Sequence, residues 1–321
     1  MEQREYDKNN IRGKGVIIMK KSIKIISVIV AVAAVIGIGA VIASQPEVID
    51  FGEVTLSDIP VKAEGATRVM SFNVRCVSDD NGHTIANRSQ LVTAVLEQYA
   101  PDTFGVQEAT PKWIKILDKE FGEKYARVGD GRSPIEMFTE YSCVYYLKDK
   151  YNLLDSGTIW LSETPEKKYT KDFDSKHNRI ASWAVLEDKT TGEKFTHINT
   201  HLDHVLESTR VEQVKVLQTK IAELEKETTV ICTGDFNTFE TAEAYAQMCK
   251  TMDDTKLVAE KSDTGITFHN YGAIEEHDDG AIDFVFATKG TKALTYKIIR
   301  DSVDGIYPSD HYPIVADVVL K

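Results

Sequence analysis

Near its C-terminus the chain reads YPSDHYPIVADV, so the pair Asp310-His311 stands directly before a strand-like apolar run. An Asp-His pair in a turn is more often a solvated turn than a catalytic pair. Here the catalytic interpretation is favoured because other acidic, amide and histidine side chains also lie at or near the ends of predicted strands. They are Asn73, Glu108, His201, Asp235, Asn237 and Asp283. Open α/β sheets gather ligand sites at such ends, so these side chains are predicted to form one cluster.

The chemistry of this cluster is that of a hard metal ion and an activated water. Glu108, with carboxylate and amide oxygens around it, offers the oxygen ligands that suit Mg²⁺ or Mn²⁺ better than Zn²⁺. Asp235 and Asn237 are separated by one residue in TGDFN, so both side chains can address one water. An Asp general base beside an amide that orients the nucleophile is what hydrolytic attack on phosphorus requires.

Asp283 and His311 are predicted to form a second functional pair. A carboxylate partner raises the pKa of a histidine, so Asp283 would keep His311 protonated. A cationic His311 beside His201 and Asn73 would then stabilise charge on the phosphoryl oxygens in the transition state.

Hydrophobic periodicity places these residues on alternating strands and helices. Period-two or short apolar runs predict strands, and apolar stripes at helical spacing predict helices. Strands are predicted at 66–74, 103–107, 142–147, 157–161, 181–187, 194–200, 228–233, 281–288, 294–300 and 313–320, and helices at 88–99, from Thr110-Pro111 onward, and at 207–227. Residues 66–321 are therefore predicted to form one α/β domain, with mixed sheets covered by helices.

Six motifs in this domain resemble those of the endonuclease/exonuclease/phosphatase superfamily. In chain order they are SFNVR, GVQEA, NTHLDH, TGDFNTF, AIDFVF and YPSDHYPIV. The resemblance spans residues 66–321 and implies a four-layer α/β sandwich, in which two packed mixed sheets are flanked by helices. It also implies Mg²⁺-dependent hydrolysis of phosphoesters.

The resemblance implies a role for each matching residue. The set contains metal ligands, a base with its neighbour, a phosphoryl-stabilising pair and two further catalytic residues. The metal ligands are Glu108 and Asp310, the base is Asp235 beside Asn237, the pair is Asp283 and His311, and Asn73 and His201 complete the site.

The N-terminus predicts export. Residues 25–43, IISVIVAVAAVIGIGAVIA, carry no charge and can span a bilayer, and the lysines before them place that end in the cytoplasm. We expect a cytoplasmic segment 1–24, whose first 18 residues could be an over-extended start, a signal anchor or cleavable signal peptide at 25–43, and a linker at 44–65. The catalytic domain would then lie outside the cell membrane, tethered or secreted.

The whole chain carries a net charge of −12 and residues 1–24 carry +4, so the remainder carries −16. The exported domain therefore lacks the overall basic field that favours nonspecific binding to nucleic acid. Its four cysteines show no C-x-x-C spacing and are expected to be buried thiols. His177, His269 and His277 have no evident partner and are predicted at the surface. Arg179 is predicted either to contact phosphate or to form a salt bridge at a sheet edge.

The substrate stays open among several phosphoesters. TGDFNTFET and YPSDHYP lack the Arg and the P-x-W-x-D-R motif of inositol-polyphosphate phosphatases, and QEAT differs from the Gln-Glu-Val-Arg usual in secreted deoxyribonucleases. Export disfavours the intracellular abasic-site endonucleases, whereas sphingomyelinases and nucleotide phosphodiesterases remain candidates. The expected partner is therefore a nucleic acid, a nucleotide or a phospholipid head group, and no protein partner follows from the sequence.

Two rival hypotheses come from other classes. NTHLDH matches the H-x-H-x-D-H zinc motif of metallo-β-lactamase-type hydrolases except at Asn199. A noncatalytic surface-binding module on the same scaffold is the second rival, although such a module has no need for the full acidic set.

Overall fold

The computed structural model describes residues 48–57, 59–275 and 280–320. The predicted membrane segment 25–43 and the basic residues before it lie outside the described residues. Within the described chain, no helix has both the length and the apolar character needed to cross a membrane.

The described secondary structure consists of strands, five α-helices and a short 3₁₀ turn at Glu136–Phe138. The strands are β1 (Thr67–Asn73), β2 (Thr103–Gln107), β3 (Tyr125–Val128), β4 (Val144–Leu147), β5 (Tyr151–Trp160), β6 (Ile180–Asp188), β7 (Lys194–His201), β8 (Thr229–Asp235), β9 (Met252–Asp254), β10 (Lys261–Ser262), β11 (Asp283–Thr288), β12 (Lys292–Ile298) and β13 (Ile314–Val319). The helices are α1 (Ile85–Tyr99), α2 (Pro111–Phe121), α3 (Glu207–Leu224), α4 (Glu243–Met248) and α5 (Thr255–Val258).

The strands form two mixed sheets. The first has seven strands in the order β10-β12-β13-β1-β2-β4-β3, and the second has six in the order β5-β6-β7-β8-β11-β9. At the centre of each sheet two parallel strands lie side by side, β1 with β2 and β7 with β8. An antiparallel strand flanks each pair, β13 beside β1 and β11 beside β8. The first residues of β13 therefore lie beside the last residues of β1, and the first residues of β11 lie beside the last residues of β8.

Three apolar layers hold the sheets and helices together. The first lies between α1, α2 and the seven-stranded sheet, where Trp113 and Phe104 are fully buried. The second lies between the two sheets and contains Val69, Phe195 and Val285. The third joins α3 and α4 to the six-stranded sheet. Helix, sheet, sheet and helix make the predicted four-layer sandwich, which is confirmed.

Most predicted elements are present with shifted ends. The predicted strand 157–161 is the end of the longer β5, and α3 ends at Leu224 rather than near residue 227. The sequence analysis missed β3, β9, β10, α4 and α5, which are too short to show a clear period. The cysteines are free thiols, with Cys143 and Cys232 buried and the other two half-buried.

Within the predicted linker, 44–65, residues 49–56 pack against α1. Backbone amides of Ile49 and Leu56 donate to Asn87 Oδ1 at 2.8 Å and Gln98 Oε1 at 3.0 Å. Leu56 is buried in the first apolar layer. These contacts satisfy backbone groups that an extended segment would otherwise leave to water.

A network of polar side chains crosses the apolar layer between the two sheets. Gln107 Nε2 donates to Asn199 Oδ1 at 2.6 Å, and Asn199 Nδ2 donates to the Val106 carbonyl at 2.9 Å. The His197 ring lies between the hydroxyls of Thr103, at 2.7 Å, and Thr233, at 2.8 Å. The network links the two central parallel pairs and so fixes how the sheets align where the site residues emerge.

Candidate active site

A cavity of about 400 Å³ lies where the ends of the central strands meet. Asn73, Gln107, His201 and Asp235 are the last residues of β1, β2, β7 and β8. Among the predicted site residues, those lining the cavity are Glu108, His201, Asp235, Asn237, Asp310 and His311. Asn73 and Asp283 are buried behind this lining and contact it through hydrogen bonds.

Asp235 is the most connected of these residues. Its Oδ2 accepts a hydrogen bond from Asn73 Nδ2 at 2.9 Å and lies 3.4 Å from His201 Nε2 and 3.8 Å from His311 Nε2. Its Oδ1 accepts from the Asn237 amide at 2.9 Å. Burial and the neighbouring Asp283 carboxylate raise the pKa of Asp235, so its oxygen binds a proton more readily than an exposed aspartate does.

Glu108 presents an ionised carboxylate to the same cavity. Its Oε1 accepts from Asn73 Nδ2 at 3.1 Å and its Oε2 from the Cys76 amide at 2.9 Å. Burial raises the pKa of Glu108, but the hydrogen bonds from Cys76 and Asn73 and the charge of His311 outweigh it, so the pKa is lowered to about 2. The backbone turns sharply at Glu108 and Asn237, which both have left-handed conformations, with φ of 57° and 49°. These turns orient this part of the site.

His311 and Asp283 form a buried pair. His311 Nδ1 lies 2.8 Å from Asp283 Oδ2, and Phe268 packs against the ring at 5.0 Å. Burial lowers the pKa of His311, but the carboxylates of Asp283 and Asp235 outweigh it and raise the pKa to about 10. His311 is therefore a cation at neutral pH.

His201 has the opposite charge state. Burial, together with the nearby Arg179 charge, holds the pKa of His201 well below its usual value. His201 is therefore neutral at neutral pH and can donate one hydrogen bond toward the cavity without adding charge.

Asp310 lies in the cavity beside Arg75. Its Oδ2 is 3.5 Å from Arg75 Nε, and its Oδ1 accepts from Ser309 Oγ at 3.2 Å. Arg75 also pairs with Asp79, at 3.2 Å. The structure thus brings Asp310 next to a cation, within the lining shared with Glu108.

Three side chains, Glu108, His201 and Asp235, place one ligand atom each within 4.8 Å of one another. Asp235, Asp283 and His311 form a second such group. The second group is closed by the short His311–Asp283 hydrogen bond, whereas the first faces the cavity. The donor set of the first group, with Asp310 nearby, fits a hard divalent cation.

The opposite side of the cavity is cationic. We call it the cationic wall, and it consists of Arg132, His177, Arg179 and His204. Its charge comes from the two arginines, because burial lowers the pKa of both His177 and His204. Arg179 makes no ion pair within the described chain, so the predicted sheet-edge salt bridge is absent there, whereas Arg132 pairs with Glu140 at 2.6 Å. Phosphate contact is one of the two roles predicted for Arg179 from the run HNR, residues 177–179. Sequence reasoning missed Arg132 and His204 as its neighbours, because they lie on loops without periodicity.

Two positions of the zinc-hydrolase motif, Asn199 and Asp203, lie away from the cavity, whereas His201 and His204 line it. Asn199 lies in the polar network between the sheets. Asp203 accepts backbone hydrogen bonds from Lys176, Val205 and Leu206 at 2.8–3.1 Å and shapes the loop before α3. Neither side chain lines the cavity.

The surface prediction for the lone histidines holds in part. His177 is exposed at the cavity. His269 is buried, at 1% exposure, because its ring stacks on Tyr312 at 3.7 Å, so its predicted surface position is wrong. His277 lies outside the described residues.

Comparisons with known proteins agree with this geometry. The sequence profile of the endonuclease/exonuclease/phosphatase family matches residues 70–311. No curated protein matches the chain. A solved endonuclease/exonuclease/phosphatase from Bacteroides vulgatus is 32% identical, with a TM-score of 0.75 over 80% of this chain and 99% of that one.

Two further solved structures show how widely this fold is used. A Bacteroides thetaiotaomicron mannosyl-6-phosphatase is 28% identical, with a TM-score of 0.73 over 79% of this chain and 99% of that one. The human nocturnin catalytic domain is 20% identical, with a TM-score of 0.63 over 81% of this chain and 97% of that one, and shares the fold alone.

Proposed function

The chain belongs to the endonuclease/exonuclease/phosphatase family, and from this premise we propose that it is a Mg²⁺-dependent phosphoester hydrolase acting outside the cytoplasm. The observation that carries the proposal is the position of Asp235. A buried carboxylate with a raised pKa lies between a neutral His201, a cationic His311 and an ionised Glu108. Such a set can move a proton and stabilise negative charge at one point.

Glu108 and Asp310 would hold the divalent ion. The ionised Glu108 offers oxygen at the cavity, and Asp310 lies in the same lining. Mg²⁺ suits such a carboxylate site, with Mn²⁺ as the alternative ion. When bound, the ion supplies positive charge that polarises a phosphoryl oxygen.

Asp235 acts as the general base. It takes the proton from a water whose oxygen forms the new bond to phosphorus, while the bond from phosphorus to the leaving-group oxygen breaks. Asn237 Nδ2 is held by the Leu202 carbonyl at 3.1 Å, which leaves the Asn237 amide oxygen as the group that orients this water. Asn73 Nδ2 holds both Asp235 and Glu108 in position.

His311 and His201 stabilise the phosphoryl oxygens. Asp283 fixes the His311 ring through its Nδ1 and keeps it cationic. The Nε2 of His311 faces the cavity beside Asp235, where charge develops in the transition state. The neutral His201 adds a hydrogen bond beside it.

The substrate class includes phosphosugars besides the nucleic acids, nucleotides and phospholipid head groups predicted from the sequence. The mannosyl-6-phosphatase among the similar structures supports this addition. The test is hydrolysis by purified full-length protein, with and without Mg²⁺, of duplex DNA, RNA, sphingomyelin, mannose 6-phosphate and simple phosphate esters.

The Asp235→Ala variant decides whether the assigned base is correct. We expect turnover to fall about 1000-fold while the protein stays folded. Asp155→Ala, which alters an exposed acid on β5, is the matched control and should keep full activity. Near-normal turnover in Asp235→Ala would remove Asp235 as the base. A folded protein that neither hydrolyses any substrate nor binds Mg²⁺ would favour the noncatalytic binding module.

The proposed location rests on the charge-free run 25–43 and the lysines before it. The domain would be tethered outside the membrane if this segment is retained, or secreted if it is cleaved. Protease added to intact cells should degrade a tethered domain, and the culture medium should contain a secreted one. Protection of the domain until the cells are broken would contradict export.

A further inference from the structure

The cationic wall contains a buried guanidinium that no carboxylate of the described chain pairs with. Arg179 lies directly before β6 and is only 3% exposed. Its Nη2 donates to His204 Nδ1 at 3.1 Å, whereas its Nε and Nη1 make no hydrogen bond within the described chain. A buried cation without hydrogen-bond partners is unfavourable, so its presence in a cavity indicates a ligand that satisfies it.

Two other buried arginines show what this chain does with guanidinium groups that serve the fold. Arg68 forms a two-point ion pair with Asp317, at 2.7 and 2.8 Å. Arg88 donates to backbone carbonyls, including those of Val74 and His83. Arg179 has neither kind of partner for two of its three nitrogens, so a purely structural role does not account for it.

Arg179 lies close to the reacting groups. Its charge helps to hold His201 neutral, and Asp235 is among the acids whose charge acts on Arg179. Burial lowers the pKa of Arg179 to about 10, so the group remains a cation at neutral pH. Arg179 lines the same cavity as Glu108 and Asp235, so an anion bound to it lies beside the proposed water and metal site.

Two loops tied to each other form this side of the cavity. Asn178 Nδ2 and Trp160 Nε1 both donate to the Arg132 carbonyl at 3.1 Å. Arg132 and Arg179, which these loops carry, both line the cavity.

We propose that Arg179, with Arg132 and His204 beside it, is an anion subsite for a terminal oxygen of a phosphate monoester. A monoester has three terminal oxygens and up to two charges, which three groups of donors can share: the metal side, the two site histidines and Arg179. A diester has only two such oxygens, so one of the three groups of donors would have no terminal oxygen to bind. This inference rests on the proposed function, because it names the ester that the same site cleaves to an alcohol and inorganic phosphate.

The test compares p-nitrophenyl phosphate with bis(p-nitrophenyl) phosphate in Mg²⁺. The wild-type protein should prefer the monoester. Arg179→Met should lower kcat/KM for the monoester about 30–100-fold and for the diester less than about threefold, because a charged hydrogen bond is lost only with the monoester. The kcat/KM of Arg179→Lys for the monoester should lie between those of the wild-type protein and Arg179→Met. Lys168→Met, an exposed lysine of the same loop, is the matched control.

Preference of the wild-type protein for the diester, or equal losses on both esters, would overturn the proposal. Arg179→Met should keep or raise Tm, because it removes an unpaired buried charge. A fall in Tm of more than about 5 °C would instead mark a structural residue and also overturn it.

Titration with inorganic phosphate separates the two proposals. If wild-type protein hydrolyses none of the substrates named for the proposed function, that function fails, and phosphate binding still tests the subsite. Binding weakened at least about 10-fold in Arg179→Met, but not in Lys168→Met, supports the anion subsite. Equal binding in both variants overturns it.

Discussion

At the scale of single residues, two histidines beside one carboxylate have opposite charges. His201 and His311 both approach Asp235 Oδ2, at 3.4 and 3.8 Å. His311 is cationic because Asp283 lies behind it, whereas His201 is neutral because it is buried and Arg179 is near. The charged residue near each ring, Asp283 or Arg179, accounts for this difference. The site therefore has one positive charge and one neutral hydrogen-bond donor.

Replacing Asp283 with Asn tests this account of His311. Because the folded-state pKa of His311 is raised, the cation is present below that pKa and is lost as the pH rises through it. Asp283→Asn removes the carboxylate that does most to raise the pKa of His311, so this pKa falls. The alkaline limb of the kcat–pH profile should then move to lower pH by about one unit or more. An unchanged limb, with Asp155→Asn as the matched control, would mean that His311 does not act as a cation in turnover.

At the scale of elements, α1 fixes the loops that carry the acidic side of the site. Arg88 on α1 is fully buried and donates to the carbonyls of Val74, Arg75 and Pro308, at 2.6, 3.1 and 3.4 Å. It also donates to His83 and Val77. One guanidinium thereby joins the segment after β1 to the segment before β13, which contains Asp310.

Arg88→Lys should therefore disturb both stability and catalysis. A lysine keeps the charge but cannot reach five carbonyls, so buried acceptors lose their donors. We expect the free energy of unfolding to fall by about 2–4 kcal/mol and kcat to fall more than KM changes. Urea denaturation and steady-state kinetics measure the two effects. Glu97→Gln, an exposed position on the same helix, is the control, and a stable variant with normal kcat would contradict the linkage.

The sequence predicted the cluster of strand-end residues but not that Arg132 and Arg179 line one cavity, for a physical reason. Asn73 and His201 follow apolar runs whose pattern marks where a strand ends, so their meeting at one edge follows from sheet geometry. Arg132 and Arg179 lie on loops whose path depends on contacts such as Trp160 Nε1 with the Arg132 carbonyl. No local pattern encodes such contacts. The packing of Leu56 on α1 escaped prediction for the same reason.

At the scale of the whole molecule, the two sheets are joined by a histidine that the fold keeps neutral. Burial lowers the pKa of His197 to about 3 from its usual 6.5. The Thr103 hydroxyl donates to the Tyr145 carbonyl at 2.7 Å, so His197 Nδ1 must be the donor to Thr103. His197 Nε2 lies 2.8 Å from Thr233 Oγ1, whose hydroxyl also lies 2.9 Å from Asn199 Oδ1. The site residues emerge from the strands that this ring connects.

This arrangement makes stability depend on pH in a defined window. Above pH 6.5 His197 is neutral in both the folded and the unfolded chain, so its contribution is fully present. Between pH 6.5 and about 3 only the unfolded chain takes up the proton, so stability is lost as the pH falls. At pH 4.5 the loss from this residue should be about 2–3 kcal/mol.

His197→Gln isolates this contribution from those of the other buried groups. The variant should be less stable than wild type at pH 7.5, because the ring no longer bridges Thr103 and Thr233. Its free energy of unfolding should nevertheless fall less between pH 7.5 and pH 4.5, since no histidine at this position can take up a proton on unfolding. Urea denaturation at the two pH values measures the difference. If both proteins lose the same stability, the acid sensitivity comes from other groups and the inter-sheet histidine is not its source.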